Sequence, residues 1–111
     1  MAYDEEMAER VREALSARPG VTERRMFGGL GWMIAGNMAV GVMSTGGLLV
    51  RMDPEDVPEA LEEPHVGTFG REGAKPMSGF VIVDPEGVED DADLARWIDT
   101  GAARASSLPP K

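Results

Sequence analysis

RMFGGLGWMIAGNMAVGVMSTGGLLVRM, residues 25–52, reads as three short apolar strands separated by glycine turns. Phe27-Gly28-Gly29-Leu30-Gly31 makes a turn or bulged crossing into Trp32, Met33 and Ile34. Ala35-Gly36-Asn37 then supplies the positive-φ residues that a tight hairpin needs. Met38 to Met43 follows as a strand, Ser44-Thr45-Gly46-Gly47 turns again, and Leu48 to Met52 returns, which gives an antiparallel meander. In Met38-Ala39-Val40-Gly41-Val42-Met43 both the odd and the even positions are apolar or small. Neither face is built for water, so both should be covered, either by helices split between them or by a second subunit in an isologous dimer.

Working outward, Val21 to Met26 is extended in character and reads as an edge strand, preceded by a helix over Tyr3 to Arg18. Asp4 is its N-cap, and Met7, Val11 and Leu15 line one face before Pro19 and Gly20 stop it. On the other side, Asp53-Pro54 opens a short acidic helix through Leu61. Glu62 to Gly79 reads as a loop or irregular strand anchored by Val66 and Phe69, and Met77 to Val83 as the last strand. A final helix starts at Asp90 or Asp91. Leu94, Trp97, Ile98, Gly101, Ala102 and Ala105 form its apolar stripe, and a glycine on that stripe predicts close backbone packing beneath it. The expectation is an α+β domain over residues 1–105 with a central antiparallel sheet of about five strands. An N-terminal, a short middle and a C-terminal helix accompany it, and residues 106–111 form an extended tail.

Composition narrows the function classes. At 111 residues there is room for one domain with one core. With no cysteine, disulfide frameworks, thiolate chemistry and sulfur metal sites are excluded. No apolar run approaches the roughly 20 residues of a bilayer span, and no signal peptide follows Met1, so a cytoplasmic location is expected. The single histidine, His65, lacks the convergent partners that a general base or a metal site requires, and no serine sits in a nucleophile elbow. The glycines around Phe27 match no phosphate-loop spacing. These readings point away from an enzyme, a metal and a cofactor.

The net charge of −9 opposes direct nucleic-acid binding, which draws its affinity from neutralised phosphates. The charge is unevenly placed. Val21 to Met52 carries Arg24, Arg25 and Arg51 against Glu23 alone, whereas Asp53 to Glu63 has no basic residue. Arg71 and Lys75, in a glycine-containing loop, add a second basic group suited to an anion. Met26, Met33, Met38, Met43, Met52 and Met77 lie in or beside strands, where thioethers fill cores or form adaptable contact surfaces.

Arg25-Met26-Phe27-Gly28-Gly29, Gly36-Asn37-Met38, Leu49-Val50-Arg51, Lys75-Pro76-Met77-Ser78-Gly79-Phe80, and Leu94 with Trp97 before Ser107-Leu108-Pro109-Pro110-Lys111 together resemble the TfoX/Sxy family, N-terminal domain type. The resemblance covers nearly the whole chain and implies an α+β domain found in bacterial regulators of competence genes. It implies action through a protein partner, a transcription activator, and no established catalytic residue. The candidate interaction or anion site is therefore Arg24, Arg25, Phe27, Gly28, Gly29, Arg51, Arg71 and Lys75. The alternative is a small-molecule or anion-binding protein, an enzyme included, that gathers Arg51, Arg71, Lys75 and His65 around a pocket.

Overall fold

The computed structural model describes residues 4–26, 28–44, 46–69 and 79–110. Six strands form one antiparallel sheet: β1 Val21–Met26, β2 Gly29–Ile34, β3 Asn37–Val42, β4 Leu48–Arg51, β5 Val66–Thr68 and β6 Phe80–Val83. Three helices accompany them, α1 Glu5–Leu15, α2 Val57–Ala60 and α3 Asp91–Ser107. The α+β class and the helix order match the expectation, with one strand more than expected. That strand is β5, whose three residues Val-Gly-Thr are too few to show alternation.

The first four strands form the expected meander, but β6 then inserts between β4 and β5, giving the order β1-β2-β3-β4-β6-β5. Phe80-Val81-Ile82-Val83 is apolar on both faces and gains most from a central position. The hairpin between β2 and β3 turns on Ala35 (φ 52°) and Gly36 (φ 85°), while Asn37 already begins β3. Gly29 and Gly31 lie inside β2 and not in a turn, because their lack of a side chain serves close approach there. A Cβ on Gly29 would stand 2.0 Å from the Val42 carbonyl oxygen.

Strand register sorts the side chains into two faces. Leu30, Val42, Leu48, Val83 and Val66 form one row, and Trp32, Val40, Val50 and Val81 the next. Both rows share one core with Met7, Val11 and Leu15 of α1, Ala60 of α2, and Leu94, Trp97 and Ile98 of α3. All three described helices thus pack on the same face, so of the two expected ways of covering the sheet, helices split between its faces is not the one used. Helix α3 lies across β3 and β4, and its Gly101 rides on Ala39, whose carbonyl oxygen would be 2.4 Å from an added Cβ. Arg10 of α1 donates to Asp91 at 2.9 Å, and Arg18, in the turn after α1, donates to Asp99, so that salt bridges tie α1 and the turn after it to α3.

The opposite face carries the row Arg24, Gly31, Gly41, Leu49, Ile82 and Gly67. No described helix covers it, yet Leu49 is only 1% exposed. Part of the cover is made by the sheet itself. The Met38 methyl lies over Gly31 and Gly41, the Met26 sulfur over Gly31, and the Ile82 side chain over Gly47. Flexible side chains lying flat over glycines do on this face what a helical layer does on the other.

The helix ends follow the capping chemistry read from the sequence. The Asp4 carboxylate accepts from the backbone N–H of Glu6 and Met7, and the Asp90 carboxylate from that of Ala92. Helix α1 stops at Leu15, earlier than Pro19 requires, where the Ser16 hydroxyl donates to the Glu13 carbonyl. Asp53 caps a 3-10 turn, Pro54–Asp56, before α2 begins. Helix α3 runs through Ser107 and so takes in the first two residues of the expected tail. Asn37, the one buried polar side chain among the described residues, donates from Nδ2 to the Pro109 carbonyl at 2.9 Å and holds the tail against the hairpin. No described helix is long and apolar enough to cross a membrane.

Candidate functional site

Strand β1 closes one side of the sheet and β5 the other. The two edges differ in length and in charge: β5 has three residues, whereas β1 has six, with Thr22, Glu23, Arg24 and Arg25 all exposed. Pairing of β1 with β2 sets Arg25 beside Leu30 and Glu23 beside Trp32 on the helix side, and Arg24 beside Gly31 on the other. The two arginines therefore leave the strand on opposite faces.

Glu23 is engaged. It accepts from Arg12 Nε at 2.7 Å and Nη2 at 2.9 Å and from the Trp32 indole N–H at 3.1 Å. The hydrogen bond from Arg12 holds the Glu23 carboxyl below its ordinary range against the opposing effect of burial, and the Trp32 bond adds to it. The same bond, followed by one to Glu9, raises the pKa of Arg12. Beside this cluster, between the end of α1 and β1, lies a shallow groove of about 300 Å³ lined by Arg12, Leu15, Ser16, Arg18, Val21, Glu23 and Trp32.

Most other described arginines have a partner. Arg96 donates to Glu63 at 3.0 Å and stacks over Trp97 at 4.5 Å, and Arg10, Arg12 and Arg18 hold the carboxylates named above. Arg51 has a ring, Phe80, at 5.3 Å. Among the described residues Arg24 and Arg25 have neither a carboxylate nor a ring as partner, in a chain with 20 acidic residues.

Among the described residues of the expected site, Arg51 stands apart from the others. Arg24, Arg25 and the exposed Gly28 (φ 74°) lie along the β1 edge, with the buried Gly29 starting β2. Arg51 stands at the end of β4, three strands away. Phe27, Arg71 and Lys75 lie outside the described residues. His65 sits before β5, 3.8 Å from Glu86 and at the Val83 end of β6, whereas Arg51 faces the Phe80 end. The histidine therefore does not converge with Arg51.

Two groupings escaped the sequence reading. One is the groove formed by α1 and Trp32. The other is Arg104 of α3, whose Nη1 lies 3.8 Å from Asp53 while its buried Nε has no hydrogen-bond acceptor. Burial, and secondarily the charge of Arg104, lower the pKa of Arg51. Nothing in the spacing of residues 51 and 104 signals that pairing. Among the described residues no three histidine or carboxylate side chains converge as a metal site would require.

A family model described as the TfoX N-terminal domain matches residues 13–105, which is most of the chain. The protein belongs to the TfoX N-terminal domain family. No match was found among curated proteins or solved structures. The matched region takes in the β1 edge, the sheet and nearly all of α3.

Proposed function

We propose that this chain is a non-catalytic regulatory domain of the TfoX type that works through protein contacts, with a transcription activator as partner. The observation that carries the reading is the state of Arg24 and Arg25. Two guanidiniums stand exposed on the longer edge of the sheet, without a carboxylate or ring partner among the described residues, next to the stretch that most resembles the family. The charge of −9 favours contacts with protein over contacts with a polyanion. The cytoplasmic setting and the homodimer expected from the sequence belong to the same proposal. Light scattering decides the homodimer.

Affinity capture from cells tests the reading. Wild type should retain a transcription protein that an Arg24→Glu/Arg25→Glu variant releases. If wild type retains nothing selectively, the regulatory reading falls.

A second reading, an anion-binding protein, has one observation in its favour. Arg104 lies beside Asp53 with a buried N–H left unsatisfied, its charge reaches Arg51, and among the described residues Arg51 has no carboxylate partner. The adjoining groove of about 290 Å³ also contains Asp56, Thr100 and Ser107. Its two carboxylates oppose an anion, so this reading ranks second. Titration with inorganic phosphate, followed as a shift in Tm that Arg51→Met removes, would raise it to first place.

A further inference from the structure

We infer that β1 receives an extended acidic segment of a partner protein as a seventh, antiparallel strand of the sheet, with two consecutive carboxylates against Arg24 and Arg25. The inference rests on the protein-interaction reading and names the chemistry of the partner.

An edge strand offers a row of unpaired backbone donors and acceptors, and proteins usually blunt such an edge by shortening or charging it. Here β5 is short, whereas β1 keeps six residues, four of them exposed. Charge alone would block non-specific pairing, but blocking does not require that both charges be basic and unpaired in so acidic a chain. It does not require a groove alongside either.

The occupant follows from geometry. Residues directly opposite in an antiparallel pair share a face, and consecutive residues alternate faces. Arg24 and Arg25 lie on opposite faces, so two adjacent acidic residues of an added strand meet one arginine each. The next residue of that strand falls opposite Glu23, on the helix side. Glu23 is already neutralised by Arg12, and the groove beside it has Leu15, Val21 and Trp32 in its lining. An apolar residue fits there. The added strand thus reads acid-acid-apolar, with backbone bonds supplying affinity and the groove and arginines supplying selectivity.

A second copy of the chain fits poorly. In a symmetric antiparallel pairing of β1 with itself that keeps each face continuous, one residue must oppose its own copy. When the centre is residue 23, 24 or 25, that residue is Glu23, Arg24 or Arg25, and like charges directly opposite are destabilising; the centre at 24 also sets Glu23 opposite Arg25 on either side, but Glu23 is already held by Arg12. Registers centred further out lose much of the overlap.

The test uses the isotope-labelled full chain and capped synthetic peptides. Thr-Glu-Glu-Val-Thr-Val-Thr should shift the amide resonances of 21–26 and slow their hydrogen exchange. A Lys-Lys counterpart should bind about tenfold more weakly, the scale expected for reversing two cross-strand ion pairs. A peptide with proline in place of its central valine should not bind. The Arg24→Glu/Arg25→Glu variant should reverse the preference and take the Lys-Lys peptide. Absence of binding by the Glu-Glu peptide, equal binding of both peptides, or shifts confined to other strands would overturn the inference. So would a solution dimer broken by the variant, or duplex DNA displacing the peptide. Selective capture of a transcription protein that survives the charge reversal would leave the regulatory reading standing while this one falls.

Discussion

At the scale of single residues, glycine carries most of the information in this chain and also most of its ambiguity. Gly101 was legible as a point of close packing because it falls on an apolar helical stripe; that the surface beneath is the Ala39 carbonyl was not. Gly101→Ala gains helix propensity worth about 1 kcal/mol. The Cβ would nevertheless meet backbone at 2.4 Å and Val40 at 2.8 Å, neither of which can move cheaply. A net loss of about 1–3 kcal/mol is expected, measured as a lower denaturant midpoint. Gly31→Ala should cost less, under about 1 kcal/mol, because the nearest atoms to its Cβ, the Met26 sulfur and Cγ and the Met38 methyl, belong to flexible side chains and not to backbone. Gly29 and Gly31 read as part of a turn or bulged crossing and lie in a strand for a physical reason: a missing side chain serves a tight turn and a crowded strand equally well. Glu23 gives a prediction in pH. Its folded pKa lies below the ordinary 4.5, so its contribution is present above that value and fades as pH falls through the depressed one. The stability difference between wild type and Glu23→Gln, measured by urea unfolding at a series of pH values, should therefore shrink below about pH 4.5. A difference that persists unchanged into acid would show that packing, and not the carboxylate, sets it.

At the scale of elements, helices were read better than strands. The six stripe positions from Leu94 to Ala105 are all buried, since a period of 3.6 over three or more turns has few competing explanations. The caps were equally legible, and Asp90→Ala should lower stability by about 1 kcal/mol by leaving the Ala92 N–H without its acceptor. Thermal unfolding would register that as a drop in Tm; no drop would mean that water replaces the cap. Strands with both faces apolar reveal that they are central but not their order, so the insertion of β6 between β4 and β5 could not be read. The exposed edge was read correctly from the three charges within Val21–Met26.

At the scale of the whole molecule, the sequence required cover on both faces of the sheet without saying how it would be supplied. The helices gather on one side, and Met26, Met38 and Ile82 shield part of the other. The basic residues separated for a related reason: Arg24 and Arg25 belong to an edge strand and Arg51 to a central one, so nearness in composition did not become nearness in space. With a charge of −9 and a basic edge that is narrow among the described residues, fluorescence anisotropy should find no affinity for labelled duplex DNA even at about 50 mM salt. Measurable binding there would reverse the preference for protein partners. The bond from Asn37 to the Pro109 carbonyl bears on how the chain should be handled. It brings the C-terminal end out beside the β2–β3 hairpin, two strand spacings, or about 10 Å, from the start of β1. Anything fused there through a few flexible residues samples that margin at an effective concentration in the millimolar range. An acidic purification tag would then act as a tethered competitor, and a cleavable or N-terminal tag avoids mistaking self-occupancy for inactivity.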